Sequence, residues 1–212
     1  MPLLACPRCR HDASLLMTDA RRAYFQCDEC DLTFADPSSL LAPAAEKRVY
    51  DQHENDPADA EYRRFLNQLA APLLLRLVEG MQGLDYGCGP GPTLSVMLEE
   101  AGMEMQVYDP YFAPGTSVLD REYDFVTCSE VAEHFYEPAI DWERMVTLLR
   151  PRGWLGVMTQ LTDGCRQFDR WYYKNDPTHV SFYNSNTLAW LAARYGLTIE
   201  YQGDRVVLFR KK

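Results

Sequence analysis

Lysine and arginine are under-represented in this chain: 21 of them face 31 aspartates and glutamates, a formal net charge of −10 over 212 residues. The average field of such a chain repels a phosphate-coated polymer unless a local basic patch intervenes. Arg21-Arg22, Arg63-Arg64 and Arg210-Lys211-Lys212 are short, separated and offset by acids, as solvated surface charges are. Nucleic acid is therefore a disfavoured partner. Long apolar runs are also missing. Nothing approaches the roughly 20 residues that span a bilayer, and Cys6 arrives before a leader-like apolar segment can form. The chain is expected in the cytoplasm, with no membrane partner. Histidine is scarce, at four residues, and glycine is modest, at 12. With so few of each, their positions carry information.

Three of the glycines crowd into Leu84-Asp85-Tyr86-Gly87-Cys88-Gly89-Pro90-Gly91. An apolar strand ending in such a loop brings bare backbone against a ligand where side chains would collide. A second acid, Asp109, closes another apolar stretch about 20 residues on, where a ribose-binding carboxylate belongs. A dinucleotide fingerprint starting at Gly87 needs its third glycine at position 92, which is Pro92. The third glycine comes instead at Gly91, and the extra carboxylate of Asp85 suits a cationic ligand without phosphates.

This segment resembles motif I of the class I S-adenosylmethionine-dependent methyltransferases. The resemblance covers roughly residues 81–212. It also takes in Asp109, the run Glu130-Val131-Ala132-Glu133-His134, and the turn Leu149-Arg150-Pro151-Arg152-Gly153-Trp154. It implies an α/β fold with a Rossmann-like methyltransferase sheet and a C-terminal β-hairpin. It further implies that Asp85 and the backbone of Gly87, Cys88, Gly89 and Gly91 hold the methionine part of S-adenosylmethionine and that Asp109 holds the ribose. Pro110 or Tyr111 would pack near adenine, and Cys128-Ser129-Glu130 would lie by the methyl group. Tyr50, His53 and Asn55 form a run familiar from bacterial members and read as part of a lid over the cofactor, with a solvent-exposed surface position the alternative for His53. The short interval from Asp109 to Asp124 leaves little room for a helix and a strand, so the third strand unit is expected to be reduced.

Seven cysteines do not pair evenly. Cys6, Cys9, Cys27 and Cys30 form Cys-x2-Cys-x17-Cys-x2-Cys, the spacing of a tetrahedral thiolate Zn2+ site. A small N-terminal zinc ribbon follows, over residues 1–36, its metal supplying folding free energy that so short a segment cannot gain from apolar burial. Four thiolates leave no open position, so the zinc is expected to be structural. Cys88, Cys128 and Cys165 read as buried free thiols. A helical linker or lid is expected over 37–80 and the cofactor-binding domain over 81–212. Within the linker, Tyr62, Phe65, Leu66, Leu69, Leu73, Leu77 and Val78 follow helical spacing.

His134 follows Glu130 and Glu133 at the C-terminal end of a predicted parallel strand, the side where open sheets bind ligands. It is the first choice for a proton acceptor, with Glu133 able to orient it. His179 is the second, among Tyr172, Tyr173, Phe182 and Tyr183, which read equally as an acceptor pocket or as core. His11 adjoins the first cysteine pair and reads as a surface residue. These features point to methyl transfer to a small molecule. Methylation of nucleic acid or protein with the ribbon as reader, and a noncatalytic cofactor-binding module, stay open as alternatives. The acceptor atom and the oligomeric state are not written in the sequence.

Overall fold

In the computed structural model, residues 4–52, 55–163 and 168–212 are described. Four short strands come first: β1 (Leu4–Ala5), β2 (Asp12–Thr18), β3 (Ala23–Cys27) and β4 (Thr33–Ala35). Helices α1 (Pro43–Tyr50) and α2 (Ala60–Leu74) follow. The chain then alternates through β5 (Gln82–Tyr86), α3 (Thr93–Glu100), β6 (Glu104–Tyr108), β7 (Tyr123–Ser129), α4 (Pro138–Thr147) and β8 (Leu149–Met158). It ends with β9 (Ser181–Phe182), α5 (Ser185–Tyr195) and the hairpin β10 (Leu197–Gln202) and β11 (Val206–Lys211).

The larger sheet has six strands in the order β10-β11-β8-β7-β5-β6. The four strands β6, β5, β7 and β8 are parallel, and β11 runs antiparallel to both its neighbours. This is a Rossmann-like mixed sheet closed by the expected hairpin. Between Asp109 and Tyr123 there are a single antiparallel bridge, Asp109 to Ala113, and a 3-10 turn, Thr116–Asp120, so among the described residues no strand lies outside β6 at the sheet edge. Leu66, Leu69, Leu73, Leu94 and Leu98 bury one face against Phe125 and Leu208. Trp142, Met145, Leu188 and Leu191 bury the other against Leu84, Leu155 and Phe209. Each of these large side chains, fully buried, contributes about 1.5–3 kcal/mol of transfer free energy.

Local signals set the helix ends. Asp59 accepts from the N–H groups of Glu61 and Tyr62 to start α2. Asn184 does the same for α5 through Thr187, and Gly196, at a left-handed φ of 65°, stops it. The apolar spacing overruns α2, however: the helix ends at Leu74 and Val78 is 65% exposed. The turn expected at Pro151-Arg152-Gly153 is a bulge within β8. Tyr123 pairs with Leu149 and Phe125 with Trp154, so the intervening residues loop out with Arg152 at φ 63°.

The smaller sheet is antiparallel, in the order β1-β2-β3-β4-β9. Its last strand comes from far along the chain, with Thr33 opposite Phe182 and Phe34 opposite Ser181. Phe25, Leu32 and Phe34 share one buried cluster with Trp142 and Tyr183. The N-terminal strands are thus packed into the main body through both backbone and core. No helix among the described residues is long and apolar enough to cross a membrane.

Candidate active site

The chain leaves β5 at Tyr86 and turns through Gly87 at φ 86° and Gly89 at φ 65°, conformations that a side chain strains. A Cβ at position 87 would also meet the Val131 methyls at 2.5 Å, and one at position 91 would meet the Asn55 carbonyl oxygen at 1.8 Å. The first two glycines therefore make the turn, and the third admits the Asn55 backbone. Asp109 ties this loop to the next. Its Oδ1 accepts from the N–H groups of Tyr111 and Phe112 at 2.8 and 3.0 Å, and its Oδ2 from that of Gly89 at 3.1 Å. Asp85 is buried beneath the loop, accepting from the Thr127 and Ser95 hydroxyls at 2.8 and 3.2 Å. Burial pushes its carboxyl up to about 6.

Glu46 of α1 was not anticipated. It is nearly buried and accepts from Tyr50 and Tyr111, the hydroxyls lying 2.8 and 2.7 Å from its two oxygens. The only trace of it in the sequence is its place four residues before Tyr50, on the same face of one helix.

On the opposite side, Glu130 follows β7 at a left-handed φ of 52°, and Glu133 and His134 come next in the 3-10 turn Ala132–His134. The Tyr173 hydroxyl stands between the two carboxylates, close to Glu133 and 3.2 Å from Glu130. Burial and the neighbouring Glu133 push Glu130 up to about 8. Burial likewise raises Glu133 and lowers His179. The imidazoles are oriented alike: Nδ1 of His134 donates to the Thr178 carbonyl at 3.1 Å, and Nδ1 of His179 to that of Tyr173 at 2.7 Å. Their rings meet edge to face at 4.8 Å, and Tyr50 stands against His134 at 5.3 Å.

These two sides enclose a cavity of about 580 Å³. Its wall includes Tyr50, Asp85, Gly87, Cys88, Gly89, Gly91, Asp109, Pro110, Tyr111, Ser129, Glu130, Glu133, His134 and His179, together with Glu46, Asp141 and Arg144, which the sequence did not single out. The aromatic run around His179 is not part of it. Phe182 and Tyr183 are core, Tyr173 is held by the carboxylates, and Tyr172 is 63% exposed. Cys128 is buried as expected, whereas Cys88 is only partly covered. His53 and Cys165 lie outside the described residues.

Cys6, Cys9, Cys27 and Cys30 converge, their sulfurs all within 4.8 Å of one another. The closest pairs are Cys9–Cys27 at 3.3 Å and Cys6–Cys30 at 3.7 Å. Thiolates about 2.3 Å from a tetrahedral zinc stand about 3.8 Å apart, so the set fits that ion. Arg10 at φ 67° and Asp31 at φ 60° bend the chain just after each pair.

The N-terminal strands also grip the loop that carries His179. Arg22 donates through Nη2 to the carbonyls of Lys174, Asp176 and His179, at 2.8, 3.0 and 2.7 Å, and through Nη1 to that of Pro177 at 3.2 Å. The buried Lys174 ammonium meets Asp19 at 2.5 Å.

A family of sequences described as the methyltransferase domain matches residues 53–202. The ubiquinone biosynthesis O-methyltransferase of Aeromonas salmonicida (strain A449) is 32% identical over 77 residues, 36% of this chain and 32% of that protein. The chain thus matches about a third of the length of that curated relative. Among solved structures, the 1,6-didemethyltoxoflavin-N1-methyltransferase of Burkholderia thailandensis, with 1,6-didemethyltoxoflavin and S-adenosylhomocysteine bound, has a TM-score of 0.58 at 17% identity. The match covers 94% of this chain and 99% of that one. The magnesium protoporphyrin IX methyltransferase of Synechocystis PCC 6803, with S-adenosylhomocysteine bound, gives 0.53 at 15% identity, over 80% and 94% of the two chains. At these identities the likeness is one of fold.

Proposed function

The chain belongs to the methyltransferase-domain family and depends on S-adenosylmethionine, and on that premise we propose that it methylates a small molecule carrying an ionisable proton. One observation carries the reading: a single cavity has the glycine loop and Asp109 on one side and Glu133, His134 and His179 on the other. The donor supplies a methyl group on a sulfonium, and the acceptor's lone pair bonds to that carbon as the carbon–sulfur bond breaks.

Asp85 and the loop from Gly87 to Gly91 hold the methionine part. Asp109 binds the ribose through Oδ2, which accepts one N–H in this structure and has a lone pair left. Tyr111 and Pro110 pack near adenine, Tyr50 covers the cofactor, and Ser129 and Glu130 lie by the methyl group. His134 or His179, neutral with its proton on Nδ1, takes the acceptor's proton at Nε2, and Glu133 orients it. Alignment and exclusion of water supply much of the acceleration, as in any in-line displacement. The relatives named above act on small molecules, and the net charge of −10 favours the same choice over nucleic acid.

We further propose that residues 1–36 are a zinc ribbon holding one structural Zn2+ through Cys6, Cys9, Cys27 and Cys30, that 37–80 form a lid, and that 81–212 form the cofactor domain. Calorimetry should show S-adenosylhomocysteine binding in preference to a nicotinamide dinucleotide, and the reverse preference would overturn the donor assignment. Metal analysis should give about one zinc per chain. Incubation with methyl-labelled donor and fractionated extract, followed by nuclease or protease, should leave the label in the small-molecule fraction.

A further inference from the structure

The hairpin of β2 and β3 does something different at each end. At one end Cys27 closes β3 opposite Ala13, and Cys6, Cys9 and Cys30 gather round it. At the other, beyond the pair Thr18 and Ala23, the turn carries Asp19, Arg21 and Arg22. All three hold the segment from Lys174 to His179. Asp19 meets the buried Lys174 ammonium, Arg21 donates through Nη1 to the Asn175 carbonyl at 2.7 Å, and Arg22 donates to the carbonyls of Lys174, Asp176, Pro177 and His179. One antiparallel hairpin thus joins the cysteine cluster to the backbone that carries His179.

The cysteine end is fastened separately to α5 and its N-cap. Arg8, between Cys6 and Cys9, is 5% exposed, its guanidinium 4.9 Å from the Trp190 ring and 4.8 Å from that of Tyr195. Its Nε and Nη2 have no hydrogen-bond partner among the described residues. A buried cation held by rings needs an opposite charge, and four thiolates round a divalent ion supply a net negative one beside it. Asp31, directly after Cys30, accepts through Oδ2 from Asn184 and Asn186 at 3.0 and 2.9 Å, and Glu29 accepts from Trp190 Nε1 at 3.3 Å. Both cysteine pairs therefore bear on one helix, and the hairpin reaches from there to the acceptor wall.

We propose that the cysteine cluster is a metal-closed clamp on the acceptor wall: an ion held by Cys6, Cys9, Cys27 and Cys30 fixes the hairpin, and the hairpin fixes the His179 loop. A segment of this length buries too little to hold such geometry without its metal. Phe25, Leu32 and Phe34 stay in the shared core, so loss of the ion loosens the turn at Arg22 without detaching the strands. The donor wall is spared, because the glycine loop is tied by Asp109 instead. The clamp rests on the zinc reading, and its catalytic meaning on the methyltransferase reading. Turnover would then follow metal supply through residues that never touch the acceptor.

Hydrogen exchange read by mass spectrometry tests this on the full chain, with zinc removed by a chelator under reducing conditions and then restored. Removal should speed exchange over 172–182 by roughly tenfold or more, leave 82–91 within about threefold, and reverse when zinc is returned. Calorimetric affinity for S-adenosylhomocysteine should change by less than about threefold. Arg22→Ala cuts the link without touching the cluster. Its zinc content should match that of the unaltered protein, 172–182 should exchange fast with zinc bound, and zinc removal should add less than about threefold there. Unchanged exchange over 172–182 in the zinc-free protein overturns the clamp whether or not the variant folds. So does a loss of protection over 82–91 as large as over 172–182, or an undiminished zinc effect in Arg22→Ala. A chain that takes up no zinc defeats the zinc reading and the clamp together. Failure of the zinc-replete chain to bind S-adenosylhomocysteine defeats the donor assignment and leaves the exchange result standing.

Discussion

The two walls of the cavity are built in opposite ways. The donor wall is made by neighbours in sequence: Gly87, Gly89 and Gly91 lie in one loop, and the residue that ties it down, Asp109, closes the adjacent strand. The acceptor wall is assembled across the chain. Glu133 and His134 follow β7, His179 arrives some 45 residues later, and Arg22, from the N-terminal strands, holds the His179 loop by four carbonyls. A site read through backbone can be encoded locally, while a site defined by side-chain chemistry is fixed wherever the fold can bring support. The donor wall should thus fail by local sterics and the acceptor wall by distant mutation.

The largest effect on cofactor affinity is expected at Gly91. An alanine there places its Cβ 1.8 Å from a backbone oxygen of Asn55, so the loop or the Asn55 segment must shift. Overpacking of this kind costs about 1–3 kcal/mol. Gly91→Ala should weaken S-adenosylhomocysteine binding by roughly ten- to a hundredfold and leave the KM for the acceptor nearly unchanged. An equal loss on both substrates would mean that the walls are not separable.

Arg22→Ala is the counterpart on the other wall. It removes four charge-assisted bonds to carbonyls and leaves those oxygens to water or to nothing, at a cost of roughly 2–4 kcal/mol. Because the loop it releases carries His179, kcat should fall by roughly tenfold or more, while calorimetric affinity for S-adenosylhomocysteine changes little. Arg22→Lys should rescue only part of this, since an ammonium cannot span carbonyls as a planar guanidinium does.

The contrast also explains what could be read before folding. The glycine loop, Asp109 and the cysteine quartet announce themselves because tight turns and a tetrahedral metal each demand fixed spacings. Glu46 does not, because its partner Tyr111 is brought to it from 65 residues away. The grip of Arg22 is equally silent, since an arginine beside another arginine reads as surface charge until β4 and β9 pair. Tyr173 was legible as an aromatic but not as the hydroxyl between two buried acids. The overrun of the α2 pattern to Val78 has a simpler cause: apolar spacing does not reveal where a helix stops.

The smallest effect concerns Asp85, where the donor wall has an electrostatic component that sterics do not capture. Its folded pKa, raised by burial to about 6 from 3.8, means that the folded chain keeps a proton that the unfolded chain has lost between those values. The contribution of Asp85 to stability therefore falls as pH rises through that window, by at most roughly 3 kcal/mol, and is flat above it. Asp85→Asn removes this titration while its carbonyl still accepts from Thr127 or Ser95, so the denaturant midpoint should fall less steeply with pH between about 4 and 6. If the slope is unchanged in the variant, another buried acid carries all of it, and Glu130 on the acceptor wall, raised to about 8, is the one to replace next. That result would put the electrostatic strain on the wall built by distant contacts and leave the donor wall purely steric.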